Sequence, residues 1–114
     1  MSVKLETRQV GDVSVVDVAG RITLGEGSSA LRDTIREMVG KNHKKILLNL
    51  GEVSYIDSSG IGELVSGFTS VTNSGGQLKL LNLNKRVKDL LQITKLYTVF
   101  DVHESEATAI RSFT

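Results

Sequence analysis

The sequence predicts an α/β fold in which helices pack on a mixed, mostly parallel sheet. Segments with strand character alternate with segments of helical periodicity after an initial pair of strands, in the order ββαβαβαβα. Single helices between strands imply crossover connections, which join parallel neighbours. The chain has 114 residues, of which 39% are hydrophobic and 24% charged, as is typical of one domain of ~100–150 residues. We therefore expect one domain spanning residues 1–114.

The chain begins with a predicted β-hairpin. Apolar and charged side chains alternate across residues 3–7, which is the period of a half-buried strand. Gly11 and Asp12 indicate a turn. Residues 13–18 are rich in β-branched side chains and predict the antiparallel partner. Glycine then recurs through residues 20–27, which predict a loop.

An amphipathic helix and a buried strand are expected next. Apolar residues recur at helical spacing at Leu31, Ile35, Met38 and Val39. Ser28 or Ser29 is the expected N-cap of this helix, and Gly40 is expected to end it. Residues 44–50 form a short, nearly continuous apolar run, which favours a central strand covered on both faces.

Three further helices and two strands complete the predicted order. The helices present apolar faces formed by Ile61, Leu64, Val65, Phe68 and Val71, by Val87, Leu90 and Leu91, and by Ala109, Ile110 and Phe113. Asn84 and Ser105 are the expected N-caps of the last two helices. The strands are predicted at residues 78–81 and 97–102, where apolar and β-branched side chains cluster.

The most informative stretch lies between the central strand and the following helix. Here Asp57 is followed by Ser58 and Ser59, and one serine is expected to be the helix N-cap, a contribution of ~1 kcal/mol. Backbone N–H groups and the helix dipole favour negative charge at such a position. A phosphoryl group there adds about −1.5 to −2 charge without breaking the helix. We interpret the motif as a switch that changes partner binding rather than as a catalytic centre.

Composition and charge argue against several classes of function. The chain has no cysteine, which excludes disulfides, thiolate catalysis and cysteine-ligated metals. The net charge of +1 argues against nucleic-acid binding, which needs clustered positive charge. The densest basic patch, Lys85, Arg86 and Lys88, is interpreted as a solvated helix face. Because the sequence lacks an apolar run of ~20 residues and a signal-peptide segment, we expect a cytoplasmic protein without membrane insertion.

The histidines and acidic residues form no recognisable catalytic or metal site. A serine hydrolase needs a histidine base, and we expect both histidines, His43 and His103, to be surface residues. Asp57, Glu63 and Glu52 could bind a divalent cation, but helix capping by Asp57 and solvation of Glu63 in the first turn explain these carboxylates better. We therefore expect no enzyme activity, no metal and no cofactor.

Gly60 and Gly62 open a helix after a strand, as glycines do in dinucleotide-binding motifs. The third small residue of that fingerprint is replaced by Val65, which makes nucleotide binding the weakest alternative. Glycines at a helix N-terminus let another molecule approach the backbone closely. We therefore expect both glycines to lie on a contact surface.

Together these segments resemble a STAS domain of the anti-sigma factor antagonist type across essentially the whole chain. The resemblance is carried by residues 47–50, by the Asp-Ser-Ser-Gly-x-Gly core at residues 57–62, by residues 75–80 and by residues 87–91. It implies a cytoplasmic bacterial regulator in a partner-switching system. Unphosphorylated, such a protein binds an anti-sigma factor that is also a serine kinase, and so frees a sigma factor.

The same resemblance implies which serine is modified and by what. The kinase phosphorylates the serine directly after the aspartate, here Ser58, with Ser59 as the second candidate. A phosphatase, often of the metal-dependent PP2C type, restores the hydroxyl. The ATP and Mg²⁺ belong to these partners, so the chain itself is expected to need no cofactor.

One loop departs from the family pattern. Related antagonists often carry an acidic pair after the second strand, whereas this chain has Gly20-Arg21-Ile22-Thr23. Thr23 replaces the carboxylate that would approach the phosphorylated serine. Arg21 adds a positive charge that could stabilise phosphoserine if it faces the site.

We predict a docking surface formed by the helix start, by loop residues 21–27 and by the helix that carries the basic patch. The expected partner-binding residues are Arg21, Thr23, Asp57, Ser58, Ser59, Gly60, Ile61, Gly62 and Leu64. The chain itself is expected to be a monomer or a weak dimer. The alternative interpretation is a STAS scaffold or accessory subunit of a signalling assembly or lipid transporter, without a phosphorylation cycle.

Overall fold

The computed structural model describes residues 3–113, which form a five-stranded sheet and four helices. The strands are β1 (Val3–Val10), β2 (Val13–Ile22), β3 (Lys45–Ile56), β4 (Gln77–Leu81) and β5 (Val102–His103). The helices are α1 (Glu26–Gly40), α2 (Ser58–Asn73), α3 (Lys85–Ile93) and α4 (Glu106–Arg111). The predicted order ββαβαβαβα is confirmed.

The strands lie in the sheet in the same order as in the chain. β1 and β2 form the predicted antiparallel hairpin, and β2, β3, β4 and β5 are parallel neighbours. β3 is therefore the central strand, and its neighbouring side chains Leu47 and Leu48 are fully buried on opposite faces. The continuous apolar run predicted this position correctly.

The core lies on both faces of the sheet. On one face, α1, α2 and α3 cover a large apolar cluster that includes Leu31, Leu64 and Leu91. Full burial of one such leucine stabilises the fold by about 1.5–3 kcal/mol. On the other face, α4 covers a smaller cluster that includes Ala109 and Phe113, as the apolar face of the last helix predicts.

β2 and β3 are longer than the sequence predicts. Residues 20–22, expected in a loop, belong to β2, and Ile22 pairs with Ile56 at the carboxyl ends of the two strands. Both isoleucines are buried, so the gain from burying them extends the strands to this point. The register shifts twice along the β2–β3 pair, after Asp17 and after Gly20, before the strands end. The two strand ends therefore lie side by side.

The expected cap of α1 is wrong. This helix begins at Glu26, and the N-cap position is held by Gly25 without a side-chain hydrogen bond. Gly25 has a φ of 99°, a conformation that favours glycine. Ser28 lies inside the first turn, where its hydroxyl donates to the carbonyl of Thr23 at 2.9 Å. This serine therefore ties the helix to the preceding loop rather than capping it.

The expected caps of α3 and α4 are confirmed. The side chain of Asn84 accepts a hydrogen bond from the N–H of Val87 at 2.9 Å. That of Ser105 accepts one from the N–H of Thr108 at 3.4 Å. Both caps have the extended backbone that an N-cap requires.

The strand predicted at residues 97–102 is mostly wrong, because only Val102–His103 pairs with β4. The N–H groups of Leu96 and Tyr97 donate to the carbonyl of Leu91 at 2.8 and 3.1 Å. Since these donors close the end of α3, they are not available to the sheet. Within this segment Phe100 is buried, whereas Thr98 and Val99 are exposed, so the β-branched and aromatic composition predicted neither burial nor strand pairing for most of its residues.

Candidate functional site at the start of helix α2

Asp57 joins the two loops that meet at the carboxyl ends of β2 and β3. Its carboxylate caps α2 by accepting the N–H of Gly60 at 3.0 Å. The second carboxylate oxygen accepts the N–H of Leu24 at 3.1 Å. The N–H of Gly60, with smaller effects from those of Leu24 and Ser59, holds the pKa of the Asp57 carboxyl below its ordinary value. One ionised side chain thus fixes the β2–α1 loop to the helix start.

Ser58 is the first residue of α2, and its side chain is exposed, whereas Ser59 is half-buried. Neither serine is the N-cap, so that expectation is wrong. Asp57 takes the position because it has the required extended backbone, with φ −107° and ψ −172°. Within residues 3–113, the Ser58 hydroxyl makes no hydrogen bond to another protein group. Modification of this hydroxyl would therefore break no contact of the fold.

Gly60 and Gly62 have different surroundings. A Cβ atom on Gly60 would lie 2.4 Å from the carbonyl oxygen of Ile22 and 2.5 Å from Cγ1 of Ile56. A Cβ atom on Gly62 would meet nothing within 4 Å. Only Gly62 is therefore open to another molecule. Gly60 instead lets α2 pack directly on the two strand ends.

Three of the expected partner-binding residues lie inside the protein. Gly60 is buried, Ile61 is 5% exposed and Leu64 is 0% exposed. Both large side chains belong to the core cluster beneath α2, so they position the helix and cannot meet a partner from outside. The surface at the helix start is formed by the other expected residues, Asp57, Ser58, Ser59 and Gly62.

Arg21 and Thr23 flank the site from the end of β2. Thr23 is half-buried, and its carbonyl accepts hydrogen bonds from the backbone and hydroxyl of Ser28. Arg21 is exposed, and its guanidinium lies over the ring of Tyr55, 4.8 Å from the centroid. The guanidinium of Arg86 on α3 lies over the same ring at 5.4 Å. We call Arg21, Tyr55 and Arg86 the arginine–tyrosine cluster.

Sequence reasoning missed Tyr55. The signal that reveals it is the strand register, in which Arg21 pairs with Tyr55. A predicted end of β3 at residue 50 places Tyr55 outside the sheet and hides this pairing. The structure places the arginine of the predicted loop against the central strand instead.

The basic patch of α3 is partly neutralised. Lys85 pairs with Asp89 at 2.8 Å, and Lys88 lies 3.6 Å from Glu104. Arg86, between the two lysines, has its contact with the tyrosine ring instead. Lys85 and Arg86 are exposed, as expected for a solvated helix face, and this face also carries two ion pairs and one stacked arginine.

A groove of about 540 Å³ separates the end of β3 from α3. Tyr55, Arg86, Leu90 and Ile93 are among the residues that line it. Ile93 is 77% exposed, and Leu24 in the β2–α1 loop is 80% exposed. Ile93 therefore gives the groove an exposed apolar side chain beside the charged ones.

The two histidines do not lie free on the surface, so that expectation is wrong. Nδ1 of half-buried His43 is hydrogen-bonded to the hydroxyl of Ser14. Ser14 is 1% exposed, and its hydroxyl also donates to Oε1 of Gln9 at 2.7 Å. The His103 ring is mostly buried, with Nε2 3.1 Å from the carboxylate of Asp101.

The acidic residues considered as metal ligands are dispersed. Glu63 pairs with Arg32 at 2.9 Å and so links α2 to α1, which corrects the expectation of a simply solvated side chain. Across residues 3–113, no three His, Cys, Asp or Glu side chains converge in a way that could hold a metal ion. The helices of the same residues include none with the length and apolar character to cross a membrane.

Comparison with known proteins assigns the architecture to a family. Residues 4–109 match the STAS domain. The anti-sigma-B factor antagonist of Bacillus subtilis (strain 168) is 31% identical over 102 residues, which are 90% of this chain and 92% of that relative.

Solved structures share the fold. An anti-sigma factor antagonist from Mycobacterium paratuberculosis matches with a TM-score of 0.84 and 18% identity, over 98% of this chain and 94% of that chain. The phosphorylated form of the Bacillus cell fate determinant SpoIIAA matches with a TM-score of 0.75 and 20% identity, over 95% of this chain and 97% of that chain. At these identities the likeness concerns the fold: one mixed sheet with its four helices.

Proposed function

Because the chain belongs to the STAS domain family and is related to anti-sigma factor antagonists, we propose that it antagonises an anti-sigma factor and that phosphorylation of Ser58 switches this binding off. The observation that carries the proposal is the exposed Ser58 hydroxyl at the start of α2, which makes no bond within the described chain. A kinase can reach such a hydroxyl without unfolding its surroundings.

Phosphorylation of Ser58 is expected to change the docking surface more than the fold. The phosphate adds about −1.5 to −2 charge at a helix end whose dipole stabilises negative charge by about 0.3–1 kcal/mol. Asp57, kept ionised by its lowered pKa, lies next to it. The two anionic groups then repel a partner that fits closely against Gly62 and the exposed Leu24.

The proposed partner is an anti-sigma factor that is also a serine kinase. In the forward step, Ser58 Oγ takes the γ-phosphoryl group of the kinase-bound ATP·Mg²⁺, ADP leaves, and the hydroxyl proton is released. A PP2C-type phosphatase hydrolyses the phosphoserine to the hydroxyl and inorganic phosphate. Ser59 is the second candidate, but its half-buried side chain is less accessible than that of Ser58. These steps take place in the cytoplasm, with the chain as a monomer or weak dimer.

A paired capture from native lysate tests the proposal. The baits are the wild-type chain, Ser58→Asp and, as a matched control, Ser66→Asp, an exposed serine further along the same helix. We expect a serine kinase on the wild-type and Ser66→Asp baits, and its loss on Ser58→Asp. The purified kinase with ATP and Mg²⁺ should then phosphorylate the wild type at Ser58 and leave Ser58→Ala unmodified.

Two outcomes would contradict the proposal. Equal recovery of the kinase on all three baits would show that a negative charge at position 58 does not control kinase binding. Recovery of the same transporter or assembly subunits on every bait, without a kinase, would replace the antagonist function by that of a scaffold.

A further inference from the structure

We propose that the arginine–tyrosine cluster recognises an acidic side chain of the anti-sigma factor, and that the groove beside it takes an adjoining apolar side chain. The inference rests on the proposed function and adds the chemistry that the partner must present. It makes Arg21, Tyr55 and Arg86 the residues that select the partner, with Ser58 as the residue that controls the binding.

The two arginines carry positive charge that the described chain does not neutralise. Both side chains are exposed, and their guanidinium groups lie over one uncharged ring, at 4.8 and 5.4 Å. No carboxylate of residues 3–113 forms an ion pair with either of them, whereas the neighbouring Lys85 is paired with Asp89. A cation–π contact leaves the charge in place and the N–H donors free. A carboxylate is the group whose geometry matches a planar guanidinium.

The cluster is held in position before any partner arrives. Arg21 precedes the fully buried Ile22 at the end of β2, and Arg86 precedes the fully buried Val87 on α3. Stacking on Tyr55 restricts both long side chains. Because a restrained side chain loses less conformational entropy on binding, the cluster is better prepared to bind than isolated surface arginines are.

The apolar part of the surface lies directly beside the charges. Arg86, Leu90 and Ile93 line the same groove, and Ile93 is 77% exposed. Leaving such a side chain in water is unfavourable, so covering it favours association. A partner segment with an acidic residue beside an apolar one is complementary to both parts.

The β2–α1 loop links the cluster to the phosphorylation site. Leu24, which follows the arginine by three residues, is bonded through its N–H to Asp57, the residue before Ser58. An acidic partner side chain is attracted by Arg21 and Arg86 and is repelled by a phosphate on Ser58. The same partner charge therefore explains both tight binding of the unphosphorylated chain and release after phosphorylation.

Charge reversal with a matched control tests the inference. The kinase identified by the capture experiment is titrated by calorimetry with the wild type, Arg21→Glu, Arg86→Glu, the double variant and Arg36→Glu. Arg36 is an exposed arginine of α1 that forms no ion pair with residues 3–113, so its reversal changes the net charge equally away from the cluster. We expect Kd to rise about tenfold for each single reversal and about 100-fold for the double one. Arg36→Glu should stay within about twofold.

Ionic strength and folding provide a second measurement. The wild-type affinity should fall as salt rises from 50 to 300 mM, conditions that shorten the screening length about 2.4-fold, and the double variant should lose most of this dependence. Thermal unfolding and circular dichroism of each variant confirm that the fold is retained. The Tyr55→Leu variant should weaken binding several-fold, because it releases both stacked guanidinium groups.

The outcomes separate this inference from the proposed function. If the wild type binds the kinase and the folded double variant binds it equally well, the cluster is not the recognition site, while the antagonist function stands. If the wild type binds no kinase, both fail. If light scattering shows that the wild type forms a dimer that charge reversal dissociates, the surface is a contact between copies, and the inference is overturned.

Discussion

Charged side chains are used differently at the two sides of this molecule. Beneath α4, Arg8 contacts the carboxylates of Asp17 and Glu106 at 2.7 and 2.6 Å. At the start of α2, Arg21 and Arg86 instead share an uncharged aromatic ring. In the first arrangement the guanidinium is ion-paired within the protein. In the second, the guanidinium N–H donors remain available to another molecule.

The comparison separates charges that serve the fold from charges that are free for recognition. An exposed ion pair contributes only about 0–1 kcal/mol, but the contact of Arg8 with Glu106 ties α4 to the hairpin at the opposite end of the chain. Lys79, 8% exposed, similarly binds Asp101 and the carbonyl of Ser112. Arg8 and Lys79 on the α4 side are therefore ion-paired within the protein, and substitutions of these two residues should cost stability rather than binding.

The largest expected effect tests whether the start of α2 packs rigidly on the strand ends. Gly60→Ala should lower the free energy of unfolding by about 3 kcal/mol, because the new Cβ would lie 2.4 Å from a backbone carbonyl oxygen. Gly62→Ala is the control: it meets nothing within 4 Å and should raise stability by up to about 1 kcal/mol. Urea unfolding of both variants measures the difference. Similar stabilities would show that the packing of α2 on the strand ends is loose.

The next effect compares the same chemical change at the two sides. Lys79→Met should lower the free energy of unfolding by about 2 kcal/mol, because it removes hydrogen bonds from a buried ammonium group to Ser112. Arg86→Met should stay within about 0.5 kcal/mol and weaken binding of the kinase. If Arg86→Met were the more destabilising variant in urea, the distinction between the two sides would be lost.

The Lys79 variant should also change the acid sensitivity. Lys79, with a smaller effect of His103, lowers the pKa of Asp101, so this pair stabilises the fold above the ordinary aspartate pKa of about 3.9. The stabilisation is lost as the pH falls through the lowered pKa. In Lys79→Met the free energy of unfolding should therefore fall less between pH 7 and low pH than it does in the wild type. Urea unfolding of both proteins at the two pH values measures this difference.

The smallest effect concerns the charge on Asp57. Asp57→Asn keeps an oxygen for the N–H of Gly60, but its NH2 group cannot accept the N–H of Leu24, and the charge at the helix end is lost. Stability at pH 7 should therefore fall by about 1 kcal/mol. Because the pKa of Asp57 is lowered in the folded protein, the ionised carboxylate stabilises the fold above the ordinary aspartate pKa. This stabilisation is lost as the pH falls through the lowered pKa. The wild type and the variant should therefore converge in acid. A difference that grows on acidification would contradict this origin of the stability.

Much of the fold could be predicted from local patterns. The apolar run of β3 identified the central strand, and Asn84 and Ser105 identified two helix starts, because such signals depend on a few adjacent residues. Residues 97–102 were harder, since their composition favours a strand while contacts with the end of α3 use their N–H groups. Composition does not show which donors a neighbouring element will take.

The sequence predicts where the candidate site lies in the chain, but not which of its residues are exposed. The Asp57-Ser58-Ser59 motif marks the helix start, yet only packing shows that Ile61 and Leu64 lie in the core and that Ser58 does not cap the helix. The cluster around Tyr55 depends on strand register and on the position of α3. Such contacts join residues far apart in the chain, which local periodicity cannot reveal.

The unequal lengths of β3 and β4 have a consequence for how this protein can change. β3 pairs with β4 only as far as Asn49 and then continues to Ile56. Along this second half, the side-chain amide of Asn84, at the start of α3, donates to the carbonyl of Val53. An uncovered strand edge invites pairing with other chains and aggregation. Because the start of α3 covers this edge at Val53 and the same helix carries Arg86, new partner preferences can arise by exchanging surface side chains of α3, whereas shifting the helix would uncover the edge.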